Sequence, residues 1–322
     1  MSRVLLTDYA WRDLDIERAI LQEAGAELIV AQQQDAESLA DLAVGCEAIM
    51  TNWAKVSESV ILAADRCKII ARLGIGLDNI DVAAATRRGI IVTNVPDYCV
   101  VEVAEHALAL LLSLSRKVAF YHQESKSGRY DLQAGPLLRR IEGQTLGIVG
   151  LGNIGRRLAE KAVALRMRVL ATGRTHRTHN ELPAGVTWCE FDELLHNSDY
   201  ISLHVPLTAQ TKHLIGASQL ALMKPTAYLI NTSRGGLIDH SALSAALNAG
   251  QLAGAALDVQ EPEPPDLSKP PFNDPRVIVT PHAAFVSVES LENLRSRTAR
   301  QVATLLNGGI PENVVNASEL KK

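Results

Sequence analysis

Cysteine is scarce and unpatterned in this sequence: Cys46, Cys67, Cys99 and Cys189 lie far apart, and no two stand at C-x-x-C spacing. That argues against a disulfide framework or a zinc knuckle, so no metal site is expected, and a reducing compartment such as the cytoplasm fits best. There is no excess of either charge. Thirty-two basic and 36 acidic residues are interspersed, for a net charge of -4. Such a balance leaves no electrostatic footprint for nucleic acid and no polybasic membrane segment. Long apolar runs are also missing. The greasiest stretch, Ala107 to Leu114, is preceded by Glu102, Glu105 and His106 and closed by Arg116-Lys117. It is too short to span a bilayer and reads as a buried helix. Met1 to Tyr9 leads straight into the strand-like Val4-Leu5-Leu6, without the layout of a signal peptide. Neither a solenoid-period repeat nor a low-complexity segment is present.

What the chain does have is alternation. With 322 residues, 47% of them apolar and 21% charged, it is long enough for two domains with a substantial core. Strands are predicted at Val4–Thr7, Leu28–Ala31, Ala48–Thr51, Lys68–Ala71 and Ile90–Thr93. Between them, helices are predicted at Ile16–Ala24, Ala36–Ala43, Ser57–Ala64 and Val82–Arg88. That rhythm implies a parallel sheet with helices on both faces. From Glu102 to Tyr121 the pattern reads as one long apolar helix, and His122 to Gln144 as an irregular linker containing Gly128, Gly135 and Pro136. A second alternating series runs from Thr145 to about His282, and Ser287 to Asn307 is again helical before Gly308-Gly309 and Pro311. The expected architecture is α/β, with two doubly wound parallel-sheet units joined by two long helices.

Within the second series, the strand Leu146-Gly147-Ile148-Val149 runs into Gly150-Leu151-Gly152-Asn153-Ile154-Gly155, a G-x-G-x-x-G turn, and a helix follows from Arg156 to Leu165. Gly150 permits the tight turn, Gly152 lets backbone approach a pyrophosphate, and Gly155 lets the helix pack on the strand. The helix start, at Asn153 and Ile154, offers unpaired N–H groups and a positive dipole end to phosphates. A strand before and a helix after are the context this motif requires, so dinucleotide binding is expected. In such units a carboxylate at the end of the second strand binds the ribose hydroxyls. Here that strand, Arg168 to Thr172, ends in Gly173-Arg174-Thr175, with no carboxylate. A guanidinium there suits a 2′-phosphate, with His176 and Arg177 adding positive potential, so NADPH is expected to be favoured over NADH.

Three further strands end in chemistry. Ala227 to Asn231 leads to Thr232-Ser233-Arg234, Gly254 to Val259 leads to Gln260-Glu261-Pro262-Glu263, and Arg276 to Thr280 leads to Pro281-His282. Ligands of open α/β sheets gather at the carboxyl ends of strands. A cation, a carboxylate and an imidazole at one edge suit hydride arrival at a ketone. The oxygen then needs a proton, which His282 can give, and fixed positive charge, which Arg234 can supply while forking onto a substrate carboxylate. A carboxylate such as Glu263 beside an imidazole favours its protonated form.

At these residues the sequence resembles the D-isomer-specific 2-hydroxyacid dehydrogenases, the group that includes phosphoglycerate dehydrogenase and glyoxylate reductase. The resemblance spans nearly the whole chain: Gly74 to Asp81, Asn94-Val95-Pro96, the glycine turn, His204 to Thr208, Asn231 to Gly236, Ala256 to Val259, and Thr280-Pro281-His282. It implies Arg234, Glu263 and His282 as the catalytic Arg, Glu and His. It further implies substrate carboxylate binding by backbone at Ile75 and Gly76, and contact of Asp258 with the nicotinamide carboxamide. His204, Pro206 and Thr211 would line the cofactor cleft, beside Thr232 and Ser233. The implied fold pairs a Rossmann cofactor domain, 99–284, with a flavodoxin-like substrate domain built from 1–98 and 285–322. The implied assembly is a homodimer through the cofactor domain, with the apolar helix Val101 to Leu114 at the interface.

Within the family, Arg72-Leu73-Gly74-Ile75-Gly76 and His282-Ala283-Ala284-Phe285 look nearest to the C-terminal-binding-protein branch. Arg72 would be a second carboxylate ligand. Phe285 stands where that branch has Trp, which keeps an aromatic wall and changes its size. The Gly173-Arg174 pair looks like the arrangement in NADPH-using glyoxylate and hydroxypyruvate reductases. The expected activity is interconversion of a 2-oxo acid and a D-2-hydroxy acid of the glyoxylate, hydroxypyruvate or phosphoglycerate type. Two rivals are a nucleotide-sensing corepressor, for which no added interaction tail is evident, and a formate-type dehydrogenase, whose chemistry needs no acid–base pair.

Overall fold

The computed structural model describes residues 1–175 and 182–320. It divides into two compact units, Met1–Tyr98 with Ser287–Lys322, and Cys99–Val286. The second crossing follows Val286, two residues past the position expected from the sequence, so Phe285 belongs to the second unit.

The first unit is built on five parallel strands, β1 (Ser2–Leu6), β2 (Ala26–Val30), β3 (Ala48–Thr51), β4 (Ile69–Arg72) and β5 (Ile91–Thr93), in the order β2-β1-β3-β4-β5. That is the flavodoxin-like order. Four helices connect them: α1 (Asp15–Glu23), α2 (Ala36–Ala43), α3 (Glu58–Ala63) and α4 (Val82–Arg87). Strands covered on both faces are apolar at every position, and alternate residues serve opposite cores. Leu5, Ile49 and Ile70 pack with Leu39, Val60 and Ile61 on one face. Val4, Leu6, Met50 and Ile69 pack with Leu21, Leu294 and Val302 on the other. Asp35 and Asp81 cap α2 and α4 by accepting the amides of Ser38 and Ala84.

The long helix Val288–Leu306 is fixed to α1 by a buried ion pair. Arg295 Nη2 lies 2.8 Å from Glu17 and 2.8 Å from Asp13, and the guanidinium lies over the Trp11 ring at 5.5 Å. Glu17 has no exposed side-chain surface and Arg295 only 8%. Removing Glu17 leaves the buried guanidinium only the exposed Asp13 carboxylate, a loss bounded by the cost of breaking a buried pair, about 3–5 kcal/mol. Glu17→Ala is expected to lose stability of that order in urea denaturation, with Glu17→Gln losing less; equal midpoints in Glu17→Ala and the parent would show the pair contributes nothing.

Among its described residues the second unit carries seven parallel strands: β6 (Thr145–Val149), β7 (Arg168–Thr172), β8 (Val186–Trp188), β9 (Tyr200–Leu203), β10 (Tyr228–Asn231), β11 (Gly254–Leu257) and β12 (Val277–Val279). Their order is β12-β11-β10-β9-β6-β7-β8. The order reverses between β6 and β9, and the crevice at the carboxyl ends of those strands is where such sheets bind ligands. The helices are α5 (Val100–Arg116), α6 (Val118–Lys126), α7 (Asn153–Ala164), α8 (Phe191–Asn197), α9 (Ala217–Leu222) and α10 (His240–Asn248). No described helix is long and apolar enough to cross a membrane.

One expectation is corrected here. The single helix from Glu102 to Tyr121 is two helices, broken at Lys117, and the second continues to Lys126, after which the chain to Gln144 is irregular apart from a short 3-10 turn at Leu132–Ala134. Lys117 adopts a left-handed φ of 53°, which ends α5. Its ammonium sits over the Tyr228 ring at 4.6 Å, and burial pushes its pKa down. An apolar pattern cannot announce a left-handed residue that is not glycine.

Candidate active site

The turn after β6 folds as its glycines dictate. Gly150 has a φ of 102°, and a Cβ on it would stand 2.4 Å from the His204 carbonyl oxygen. A Cβ on Gly155 would stand 2.2 Å from the Gly150 carbonyl oxygen, so α7 packs against the turn in a way only glycine allows. Gly152 caps α7 with no side-chain hydrogen bond, and nothing lies within 4 Å of where its Cβ would be. Open space over uncapped helix amides, with Asn153 and Ile154 at the first positions, fits a pyrophosphate. Gly173 follows β7 beside this turn, the position of its absent Cβ being 4.0 Å from the Gly150 Cα. Arg174 and Thr175 come next and are exposed. His176 and Arg177 lie outside the described residues.

Across the switch point, β9 and β10 end in polar atoms that the protein itself does not satisfy. His204 Nε2 pairs with Ser202 Oγ at 2.8 Å, while its buried Nδ1 has no hydrogen-bond partner. Burial pushes this ring down to about 4, so it is neutral at ordinary pH. Thr232 Oγ1, just after the neighbouring strand, is also buried without a partner. Orphaned buried polar groups are costly unless something pairs them. Two of them at the ligand edge of a dinucleotide-type sheet fit a polar cofactor ring. Ser233 is tied down: its Oγ donates to the Leu203 carbonyl at 2.7 Å. Thr211 is also occupied, accepting the Thr208 amide (2.8 Å) and donating to the Pro206 carbonyl (2.7 Å), which closes the loop after His204.

The ends of β10, β11 and β12 bring the acid–base groups together. Asn231 Nδ2 donates to the Arg234 carbonyl at 2.8 Å and its Oδ1 accepts the Ser233 amide at 3.0 Å, fixing the turn that carries Arg234. A Cβ on Gly235 would fall 2.1 Å from the Gln260 carbonyl carbon, so only glycine lets this turn lie against the β11 loop. In that loop Glu263 Oε1 accepts the Gln260 amide at 2.8 Å, and Oε2 meets His282 Nδ1 at 2.8 Å. Gln260 Nε2 donates to the carbonyls of Leu257 (3.0 Å) and Thr280 (3.2 Å), joining the ends of β11 and β12. Phe285 stands edge-on to the His282 ring, 6.0 Å between centroids. Asp258 is fully buried. Its carboxylate accepts bonds from the Thr280 hydroxyl and the amides of Ala283 and Ala284, and lies 3.3 Å from His106 Nε2. Burial opposes its charge, but the bonds from His106, Thr280 and the two amides prevail and hold its carboxyl below the usual range.

The remaining expected residues are in the first unit, at the carboxyl end of β4. Arg72 is buried, and its Nη1 donates to the Leu73 carbonyl and to Asn52 Oδ1 at 3.3 Å. The Ile75 carbonyl is held by Asn94 Nδ2 at 2.8 Å, and Gly76 is half-buried.

The family model for the D-isomer specific 2-hydroxyacid dehydrogenase NAD-binding domain matches residues 108–284. The chain belongs to that family. It is 40% identical over 272 residues to a glyoxylate reductase of Thermococcus litoralis, covering 83% of this chain and 82% of that one. It is 37% identical over 319 residues to a D-3-phosphoglycerate dehydrogenase of Methanocaldococcus jannaschii, covering 98% of this chain and 60% of the longer relative. The solved structure of a glyoxylate reductase from Paecilomyes thermophila shares its fold with a TM-score of 0.88 at 29% identity, covering 98% of this chain and 99% of that one. This 2-hydroxyacid dehydrogenase is therefore an oxidoreductase that moves hydride between a nicotinamide cofactor and a 2-oxo acid/2-hydroxy acid pair.

Three groups with work at this edge did not stand out in the sequence. Asn231 and Gln260 are neutral amides: Asn231 bonds within its own turn, and Gln260 bonds both its own loop and the Thr280 carbonyl at the end of the neighbouring strand. His106 reads in the sequence as a polar flank of an apolar helix, and nothing local connects it to Asp258.

Proposed function

We propose that the enzyme reduces a small 2-oxo acid of the glyoxylate, hydroxypyruvate or phosphoglycerate type to the D-2-hydroxy acid, with NADPH preferred over NADH. The observation that carries this reading is the 2.8 Å pair between Glu263 and His282, in the same unit as Arg234. The bound cofactor supplies hydride to the substrate carbonyl carbon. His282 gives the proton to the carbonyl oxygen. With Nδ1 committed to Glu263, that proton leaves from Nε2, and the carboxylate fixes the ring's tautomer and aim. Arg234 binds the substrate carboxylate and polarises the oxo group. Phe285 forms an apolar wall beside the imidazole, while Arg72 and the backbone at Ile75 and Gly76 are assigned to substrate carboxylate binding. Gly150, Gly152, Asn153, Ile154 and Gly155 cradle the pyrophosphate. Arg174 and Thr175 would meet the 2′-phosphate, His204, Pro206, Thr211, Thr232 and Ser233 would line the cofactor cleft, and Asp258 would contact the nicotinamide carboxamide. The first unit is the substrate domain and the second the cofactor domain. Supplying NADPH or NADH with each of the three 2-oxo acids tests the activity, and failure to oxidise either cofactor with any of them would sink it.

The cofactor preference rests on Arg174. No carboxylate follows β7 to repel a 2′-phosphate, and a guanidinium there adds a charge-assisted bond. Bonds to charged groups contribute about 1.5–3 kcal/mol, and exposure of Arg174 screens this toward the lower end, so the preference is expected to be roughly tenfold. Arg174→Ala is expected to erase it. An NADH-preferring parent, or an unchanged ratio of kcat/KM values in the variant, would make Arg174 a surface charge.

The assembly we propose is a homodimer through the second unit. Val101, Val118, Leu132 and Leu137 of that unit are exposed apolar residues on or beyond α5, which supports a covered face there. All four cysteines are unpaired, which supports a cytoplasmic enzyme.

A further inference from the structure

Asp258 follows β11 with its side chain fully buried, a place where an ionised carboxylate persists only with several donors. Thr280 Oγ1 donates to Oδ1 at 2.5 Å, the Ala283 amide to Oδ1 at 2.9 Å, and the Ala284 amide to Oδ2 at 2.9 Å. Its own carbonyl accepts the His282 amide at 2.8 Å. The backbone carrying the catalytic imidazole is thus hung on this one residue, through its main chain at 282 and its side chain at 283 and 284. His282 needs that support. Its φ of 52° is a left-handed conformation that non-glycine residues rarely adopt and that persists where the surroundings over-determine it.

His106 completes the arrangement from a different element. It stands on α5, with Nε2 3.3 Å from Asp258 Oδ1 and 3.1 Å from Thr280 Oγ1. Thr280, Ala283 and Ala284 bring neutral donors to the carboxylate, whereas His106 brings an ionisable one. It also bridges α5 to the residues that follow β11 and β12. None of the steps assigned above uses it.

We propose that His106 is a positioning residue: through Asp258 it holds the turn at 282–284, and so sets the His282 ring against Glu263 and the substrate oxygen. The proposal rests on the reading of His282 as proton donor. Misplacing a reacting group by about 1 Å can cost around 100-fold in rate. His106→Ala is therefore expected to lower kcat roughly 10- to 100-fold while KM for the 2-oxo acid changes far less. In His106→Gln, an amide N–H can reach the same carboxylate oxygen, so most of the loss should return. A merely structural role would show as lost thermal stability without that recovery.

The test compares four proteins, the parent, His106→Ala, His106→Gln and His282→Ala, with the double variant His106→Ala/His282→Ala as a fifth. The expected result is a kcat loss in His106→Ala, recovery in His106→Gln, and no further loss when His106→Ala is added to His282→Ala. A parent-like kcat in His106→Ala, no recovery in His106→Gln, or an equal loss in both backgrounds would overturn the proposal. The His282 imidazole NMR resonances, read without turnover, keep the two claims apart. They should move in His106→Ala and return in His106→Gln. Unmoved resonances defeat the positioning of the ring, whereas parent-like turnover in His282→Ala defeats the proton-donor reading on which it acts.

Discussion

Replacing His282 with alanine is expected to lower the rate of 2-oxo acid reduction by roughly 10²–10⁴-fold, the usual contribution of a positioned general acid. The loss should fall on kcat. The ring touches Glu263 through Nδ1 and stands edge-on to Phe285, so its assigned contacts lie on the proton-transfer side rather than on the dinucleotide. Cofactor affinity, read by quenching or enhancement of nicotinamide fluorescence, should stay close to that of the parent. His282 carries a left-handed φ of 52°, and alanine pays more for that conformation than glycine does. His282→Gly and His282→Asn therefore belong beside His282→Ala, since both tolerate the turn and neither can supply the proton. Parent-like turnover in all three would remove imidazole acid catalysis from the mechanism.

The parts of this molecule that were legible in the sequence share one physical cause. Strands of a parallel sheet are covered on both faces, so β3 at Ala48–Thr51 shows as an uninterrupted run within its turn signals, and α2 at Ala36–Ala43 as an amphipathic segment behind the cap Asp35. The same regularity puts the carboxyl ends of β10, β11 and β12 on one edge, which made Arg234, Glu263 and His282 candidates before any distance was known. The break at Lys117 was not legible, because its left-handed backbone stands at a residue that is not glycine and whose side chain meets Tyr228 far along the chain. The three-residue strand β8, Val186–Trp188, is too short to give a period. The donors around Asp258 were hidden for a related reason: His106 and Thr280 are 174 residues apart in sequence, and they meet only once the sheet is assembled.

Arg234→Ala is expected to reduce kcat/KM for the 2-oxo acid by about 10²–10³-fold, the cost of losing one preorganised donor to a developing oxyanion. The backbone here gives the experiment unusual clarity. Asn231 bonds the Arg234 carbonyl and the Ser233 amide, Ser233 bonds the Leu203 carbonyl, and Gly235 packs against Gln260. These holds run through backbone and through Asn231 and Ser233, so truncation is expected to leave the fold and cofactor affinity in place, which circular dichroism and cofactor titration check. Nη1 donates to the neighbouring Ser233 carbonyl at 2.7 Å, a bond the side chain would exchange for a substrate carboxylate. Because a guanidinium presents a planar fork and an ammonium a point charge, Arg234→Lys should recover part of the binding and little of kcat. The split is therefore informative. If lysine restores kcat/KM in full, charge alone suffices and bidentate recognition is wrong. If alanine keeps parent-like kcat/KM, the guanidinium does not reach the reacting oxygen, and positive charge for the oxyanion must come from another residue.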